Sequence, residues 1–167
     1  MFDIRPMRAE DHSAIIRLWH EGWHDAHAHL VPPAILSFRT PAHFSIWLEQ
    51  AHDDFYVVDG ESGLPSGFVS IKAVGIVKLY VDAQARGGGA APALLSFAEN
   101  QLASRGVTEA ELFCTAGNIR AEKFYARQGW ALSGTFNDAL WLPEGITGKF
   151  SVDTHLYRKH IGRQLQI

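Results

Sequence analysis

The chain has 167 residues, 47% of them hydrophobic and 20% charged, with a formal net charge of −3. That length holds one sizeable core but not comfortably two, so a single domain over residues 1–167 is expected. No apolar run approaches the ~18 residues that span a bilayer. The opening Met1-Phe2-Asp3-Ile4-Arg5-Pro6 has neither the basic start nor the apolar core of a secretory signal. The acidic balance argues against a dedicated nucleic-acid binder. The lone Cys114 excludes an intramolecular disulfide and suits a reducing compartment. The expectation is a soluble cytoplasmic protein with no nucleic-acid or membrane partner.

In chain order, residues 2–6 read as a short strand. Glu10 and Asp11 then open a helix, with acid where the helix dipole favours it. Ile15, Leu18, Trp19, Gly22, Trp23 and Ala26 recur at helical spacing and define its buried stripe. Pro32-Pro33 ends it, and a second helical stretch covers about 41–51. The period then changes to two. Phe55–Asp59 and Gly67–Ala73 are strands joined by the turn-rich Gly60-Glu61-Ser62-Gly63-Leu64-Pro65, and Ile76–Val81 is a third, with Gly75 as the expected turn. A glycine cluster leads into a helix with the apolar stripe Ala91, Leu94, Leu95, Ala98 and Leu102, capped by Gly106. A strand at Ala110–Thr115, a short helix at Ile119–Gln128 and strands at Trp130–Phe136 and Val152–Arg158 follow, the last two separated by a loop, Asn137–Lys149. Three consecutive strands make an antiparallel meander, whereas the later β-α-β step needs a parallel neighbour. The fold class is therefore α+β with a mixed sheet.

The segment richest in chemistry is Leu79-Tyr80-Val81-Asp82-Ala83-Gln84-Ala85-Arg86-Gly87-Gly88-Gly89-Ala90-Ala91. A strand, a glycine-rich turn and a helix start leave unpaired backbone N–H groups at the positive end of a helix dipole, which suits a phosphate. The plainer reading is a tight connection that needs glycine for geometry alone. It lacks the Gly-Lys-Ser/Thr ending of a P-loop and the G-x-G-x-x-G spacing of a dinucleotide fold.

A second constellation follows: Asn118-Ile119-Arg120-Ala121-Glu122-Lys123-Phe124-Tyr125-Ala126-Arg127-Gln128-Gly129-Trp130. Together the two segments resemble the GNAT superfamily of acyl-CoA N-acyltransferases. Arg86, Gly89 and Ala91 match its Arg/Gln-x-x-Gly-x-Gly/Ala signature. Asn118, Ala121, Phe124, Tyr125, Gly129 and Trp130 match its second signature. The order of elements fits that family along the whole chain. The resemblance implies a six- or seven-stranded, mostly antiparallel sheet with a splayed parallel pair, about four helices, and acetyl-CoA as co-substrate in the splay. It further implies that backbone groups of Leu79, Tyr80 and Val81 pair with the pantetheine arm. Amides of Gly87, Gly88, Gly89, Ala90 and Ala91, beside Arg86, would cradle the pyrophosphate. Asn118 would hold the pantetheine and Tyr125 would protonate the departing sulfur. Chemistry supports the last role, since a phenol with pKa near ~10 can hydrogen-bond or protonate a thiolate. Asn118 also stands where a helix N-cap is needed. One departure is Pro92, which suits a first helical turn but removes a backbone donor.

Acylation of an amine also requires a route for its proton. Some relatives carry a glutamate five residues before the asparagine; here that position is Phe113, with Glu111 at the same side-chain parity on the strand. No base is assigned. His20, His24 and His27, at i, i+4 and i+7, share a helix face beside Trp19 and Trp23, with His29 just beyond. They read as a solvated or half-buried face, as a proton shuttle, or less readily as a zinc pair, since no further ligand is clearly placed. Trp23, His24 and His27 are the candidate acceptor-binding residues, because this stretch resembles the tryptophan-rich first helix that borders the acceptor pocket in small bacterial GNAT proteins. No metal is expected. Cys114 reads as packing. The expected activity is direct acetyl transfer to an amine, a small molecule first, with protein N-terminal or lysine acetylation and a non-catalytic acyl-CoA sensor as alternatives. Small relatives often dimerise, so a homodimer fits the resemblance.

Overall fold

The computed structural model describes residues 2–162; Met1 and residues 163–167, which the expected domain span includes, lie outside the described residues. The elements are β1 (Ile4–Pro6), α1 (His12–His27), α2 (Pro41–Gln50), β2 (Asp54–Asp59), β3 (Pro65–Lys72) and β4 (Gly75–Val81). They continue with α3 (Ala90–Ser104), β5 (Glu109–Thr115), α4 (Ile119–Arg127), β6 (Ala131–Ala139) and β7 (Ser151–His160). Short 3-10 turns occupy Ala9–Asp11, Pro33–Phe38 and Ala83–Ala85. The strands form one seven-stranded sheet ordered β1-β2-β3-β4-β5-β7-β6. Neighbours run antiparallel except β4 and β5, the parallel pair. This is the α+β class with the mixed sheet and splayed pair that the sequence led us to expect.

The sheet carries a core on each face. On one, Leu94, Leu95, Ala98 and Leu102 of α3 meet Val69, Ile71, Leu112 and Tyr157. On the other, Ile15, Leu18, Trp19 and Trp23 of α1 pack with Phe44 and Leu48 of α2 against Val57 and Phe68. The 3.6-residue period of the helices and the two-residue period of the strands make both faces possible.

The decisive irregularity is in β4. Ser70 faces Lys78 and Ile71 faces Ile76, so Val77 is an extra residue with no partner on β3. Such a bulge breaks the alternation of side chains. Ile76 belongs to the α3 face, whereas Tyr80 packs on the α1 face and Lys78 lies over Trp19, Trp47 and Phe55 there. The pairing between β4 and β5 also stops at this point, after Gly75 with Glu111 and Ile76 with Leu112. Beyond it the two strands have no ladder between them.

Three expectations are corrected. The β3–β4 turn falls at Ala73-Val74, with Ala73 at φ 53°, and Gly75 instead begins β4. A Cβ on Gly75 would meet the Glu111 carbonyl oxygen at 3.4 Å, so glycine serves the close approach to β5. β6 runs on to Ala139 by pairing Asn137, Asp138 and Ala139 with β7, which draws the start of the expected 137–149 loop into the sheet. The first helix starts at His12 after a 3-10 turn, and Asp11 is buried there. Arg5 donates to both its carboxylate oxygens at 2.7 and 3.0 Å, and the Arg8 N–H donates at 2.8 Å. The Arg5 bond is the main cause that holds the Asp11 carboxyl below the usual range.

Gly22 sets how closely α1 approaches β4. A Cβ there would lie 2.5 Å from Tyr80 Cδ1. Alanine is the better helix former by ~1 kcal/mol, but overpacking against a held ring costs ~1–3 kcal/mol. Gly22→Ala is therefore expected to lower stability by about 1 kcal/mol rather than raise it. Thermal melting checks this, and a higher Tm would contradict the contact.

Candidate functional site

Where β4 parts from β5, a cavity of about 710 Å³ opens through the sheet. Its walls are Val77–Val81 of β4 and Phe113–Thr115 of β5, with the glycine turn, the start of α3 and one side of α4 at one end. At the other end stand Trp19, Trp23, His27 and Val31, with Trp47 of α2, Asp138 and Leu140. The bulge makes this opening, because strands that continued pairing would leave no gap.

At the glycine turn, Gly87 and Gly89 take φ of 82° and 92°, a left-handed backbone that other residues adopt at a cost. Gly89 is the N-cap of α3. Among the described residues the Gly88 N–H bonds the Ala85 carbonyl at 3.2 Å, and the first bond back into the helix is from Ala93 to Gly89. The N–H groups of Gly87, Gly89, Ala90 and Ala91 have no such backbone partner, and Pro92 at the third helical position has no N–H. Gly88 is not on the cavity wall, while Gly87, Gly89, Ala90 and Ala91 are. A Cβ at Gly87 would meet nothing within 4 Å. This is an open set of donors at a helix N-terminus, which fits an anionic diphosphate.

Arg86 and Arg120 both turn to Asp25 of α1, donating to its Oδ2 at 2.7 and 3.0 Å. Both arginines line the cavity. The bond from Arg120, then that from Arg86, holds the Asp25 carboxyl below its ordinary range. One carboxylate thus gathers two cations at the rim of the donor set, where an anionic ligand would compete for them.

Tyr80, Cys114, Asn118 and Tyr125 come together on the cavity wall, with Leu79 and Val81 beside them. Asn118 is the N-cap of α4, its side-chain oxygen accepting from the Ala121 N–H at 3.4 Å, so the capping role read from the sequence is present. Burial pushes the Tyr125 hydroxyl well above its ordinary value, with Cys114, Tyr80 and Tyr157 adding to the effect. Burial does the same to Tyr80, against which the Arg39 charge acts. The Cys114 thiol is pushed up to about 12, again mainly by burial, and is no thiolate near neutrality. Trp130 is buried, and its indole N–H donates to Glu99 at 3.1 Å, a packing role. Phe113 is solvent-exposed beside Phe136. Glu111 is off the cavity wall and pairs with Arg158 at 3.3 Å.

Of the first-helix candidates, Trp23 and His27 line the cavity and His24 does not. His24 Nε2 instead lies 2.7 Å from the Arg39 carbonyl oxygen. His20 packs on His24 and Phe44, and burial lowers its pKa. No group of three metal-ligating side chains occurs among the described residues. The structure also brings in residues that the sequence reading passed over. Arg39, between the 3-10 turn and α2, is 1% exposed and lies over Trp23, Trp47 and Trp141 at 5.2, 5.1 and 5.7 Å. Lys78 is buried with Asp53 at 2.6 Å. Asp138 alone supplies a carboxylate to the cavity wall among the described residues. A lone cation after the apolar Ala34-Ile35-Leu36 run was the available signal for Arg39; for Lys78 the bulge hid it.

The family model for the Acetyltransferase (GNAT) family matches residues 13–130. The chain belongs to that family. Among solved structures it superposes on a GCN5-related N-acetyltransferase from Rhodopseudomonas palustris with a TM-score of 0.74, at 17% identity over 96% of each chain. It is also similar to the PaiA N-acetyltransferase from Thermoplasma acidophilum in complex with coenzyme A, at TM-score 0.68, 18% identity, 96% of this chain and 99% of that one. A third likeness is to a phosphinothricin acetyltransferase from Sinorhizobium meliloti in complex with AcCoA, at TM-score 0.69, 18% identity, and 99% and 91% coverage. At these identities the likeness establishes the fold. No curated protein matches the chain in sequence.

Burial lowers the His27 pKa from 6.5 to about 4, with the nearby charges of His29 and Arg39 adding to the fall. A histidine kept neutral by the fold contributes stability above its unfolded pKa, and that contribution is lost as pH falls from 6.5 toward 4. The loss is on the order of 3 kcal/mol. Melting curves across that window should fall with acid, and His27→Gln should flatten the slope. An imidazole NMR titration of His27 near 6.5 would contradict the assignment.

Proposed function

We propose that the protein transfers an acetyl group from acetyl-CoA directly to the amine of a small molecule. The observation that carries this reading is the single continuous cavity, which runs from the free amides of the glycine turn, past Tyr125, to a wall of tryptophans. The fit to coenzyme A rests on this chain's own groups. Gly87, Gly89, Ala90 and Ala91 would offer N–H donors to the diphosphate, with Arg86 and Arg120 beside them. The edge of β4 at Leu79–Val81 that faces away from β3 would pair with the pantetheine amides, and Asn118 would hold the same arm. The thioester, when bound, supplies an activated acyl group and a thiolate leaving group.

Tyr125 stands on the cavity wall where it can donate a hydrogen bond to that sulfur. Because its own pKa is raised above that of a thiol, it is better suited to stabilising the leaving sulfur by donation than to complete proton transfer. The acceptor must be a neutral amine that sheds a proton, and Asp138 is suited to collect it, directly or through water. His27, neutral and half-buried, shapes the wall. Much of the acceleration would come from holding two substrates in line. The buried, aromatic acceptor end favours a small molecule over an exposed lysine or a chain terminus.

Acetyl-CoA should raise the melting temperature, by an amount equivalent to ~2.7 kcal/mol at a hundredfold excess over its dissociation constant. Tyr125→Phe should keep that shift and lose ~100-fold in kcat, followed by thiol release. An unchanged kcat would remove Tyr125 from the chemistry, and no thermal shift at all would turn the reading toward a repurposed fold. Asp25→Asn should tighten coenzyme A binding about three- to tenfold at low salt, because Arg86 and Arg120 no longer have an internal partner. Calorimetry decides, and weaker binding would mean that Asp25 positions the arginines for the ligand instead.

A further inference from the structure

Arg39 is anomalous among the buried charges. Asp11 is paired with Arg5, and Lys78 with Asp53 and, through Asp53, Ser70. Arg39 has no acidic partner among the described residues. Its Nη1 donates to the Phe38 carbonyl at 3.1 Å, and its Nε and Nη2 are buried with no hydrogen-bond partner. Cation–π contact with tryptophan uses the face of the guanidinium and leaves these in-plane donors unmet. A buried cation with open donors is costly unless something pairs with it in the working state.

The two open atoms are not a random pair. Nε–H and Nη2–H lie on one edge of the guanidinium and point the same way, which is the fork that a carboxylate fills with two parallel bonds. Arg39 is not itself on the cavity wall; the fork lies behind tryptophans that are. Trp23 and Trp47 hold the guanidinium on one side and line the cavity on the other. His27, on the same wall, also has an unpartnered buried atom, Nδ1. The arginine backbone is fixed from α1 by His24, and Trp141, stacked flat on Trp47 at 4.9 Å, covers the cage from the segment that follows β6.

We infer that Arg39 is the anchor for a carboxylate on the acceptor, and that the acceptor class is therefore amino acids. This rests on the acetyltransferase reading above and narrows its substrate. The carboxylate takes the Nε/Nη2 fork, the tryptophan rings hold the apolar body, and the amine is left toward the Tyr80 and Tyr125 end. Trp47, with Trp141 stacked on it, moves aside to admit it. The sequence carries no pattern for this, since a single arginine ahead of a helix has an ordinary surface role in most chains.

The test uses the full chain, with common L-amino acids and ω-amino acids as probes, each beside its own carboxamide. Two readouts are taken with acetyl-CoA present: thiol release, and the arginine Nε–H signal in 15N NMR, assigned by its loss in Arg39→Lys. At least one amino acid should shift the Arg39 signal while its amide does not, and should exceed its amide by about a hundredfold or more in kcat/KM. Arg39→Met should erase that preference through KM while keeping the thermal shift with coenzyme A. If that variant does not fold, the acid-against-amide comparison on the unaltered protein still decides. Acids and amides turned over equally would overturn the inference and leave the acetyltransferase reading standing. No shift of the Arg39 signal with any probe would also overturn it. A shift with an acid but no thiol release would uphold the carboxylate site and count against acetyl transfer.

Discussion

The extra residue in β4, Val77, is what the rest of this molecule depends on. With Ser70 opposite Lys78 and Ile71 opposite Ile76, the strand gains a residue that β3 cannot pair. The ladder to β5 ends at the same place. Strands joined along their full length would bury their amides in each other. Here the β5-facing edge of β4 beyond Val77 is left to line a cavity, and a sheet with a core on either face becomes a sheet with a passage through it. The two cores, one under α3 and the other under α1 and α2, hold the passage open from both sides.

The passage is marked at both ends by groups whose hydrogen-bonding capacity the fold does not use. At one end are the backbone donors of the glycine turn, with Arg86 and Arg120 held meanwhile by Asp25. At the other are the Nδ1 of His27 and, behind Trp23 and Trp47, the in-plane donors of Arg39. Unmet polar groups are costly in a folded protein. The glycines of the turn stand open to solvent, but the His27 and Arg39 atoms are buried. While Asp11 and Lys78 are paired, these unmet groups beside the cavity are the physical sign of where a ligand belongs.

Much of this was legible in the chain. The glycine turn and the Asn118 cap are local, because a strand-turn-helix with glycines at positive φ and an asparagine ahead of a helix are properties of a few neighbouring residues, whereas Tyr125 was singled out by the family resemblance. The first-helix stripe likewise followed from spacing alone. Period-two reasoning failed in β4, where it puts Ile76, Lys78 and Tyr80 on one face; the bulge separates the first from the other two. It also ended β6 too early, since Asn137 and Asp138 are poor strand formers that β7 nevertheless pairs.

The sequence by itself determined the order and kind of elements, the α+β class, the glycine turn and the Asn118 cap, because each rests on contacts within a turn or two of chain. Only the tertiary structure decided which strand breaks its ladder, that Asp25 meets both Arg86 and Arg120, and that Arg39 lies among Trp23, Trp47 and Trp141 with its fork unfilled. Those residues are far apart in sequence, and no local periodicity relates them. They meet because two helices and the segment after β6 pack onto one face of the sheet, and burial then gives an ordinary arginine its unusual need for a partner.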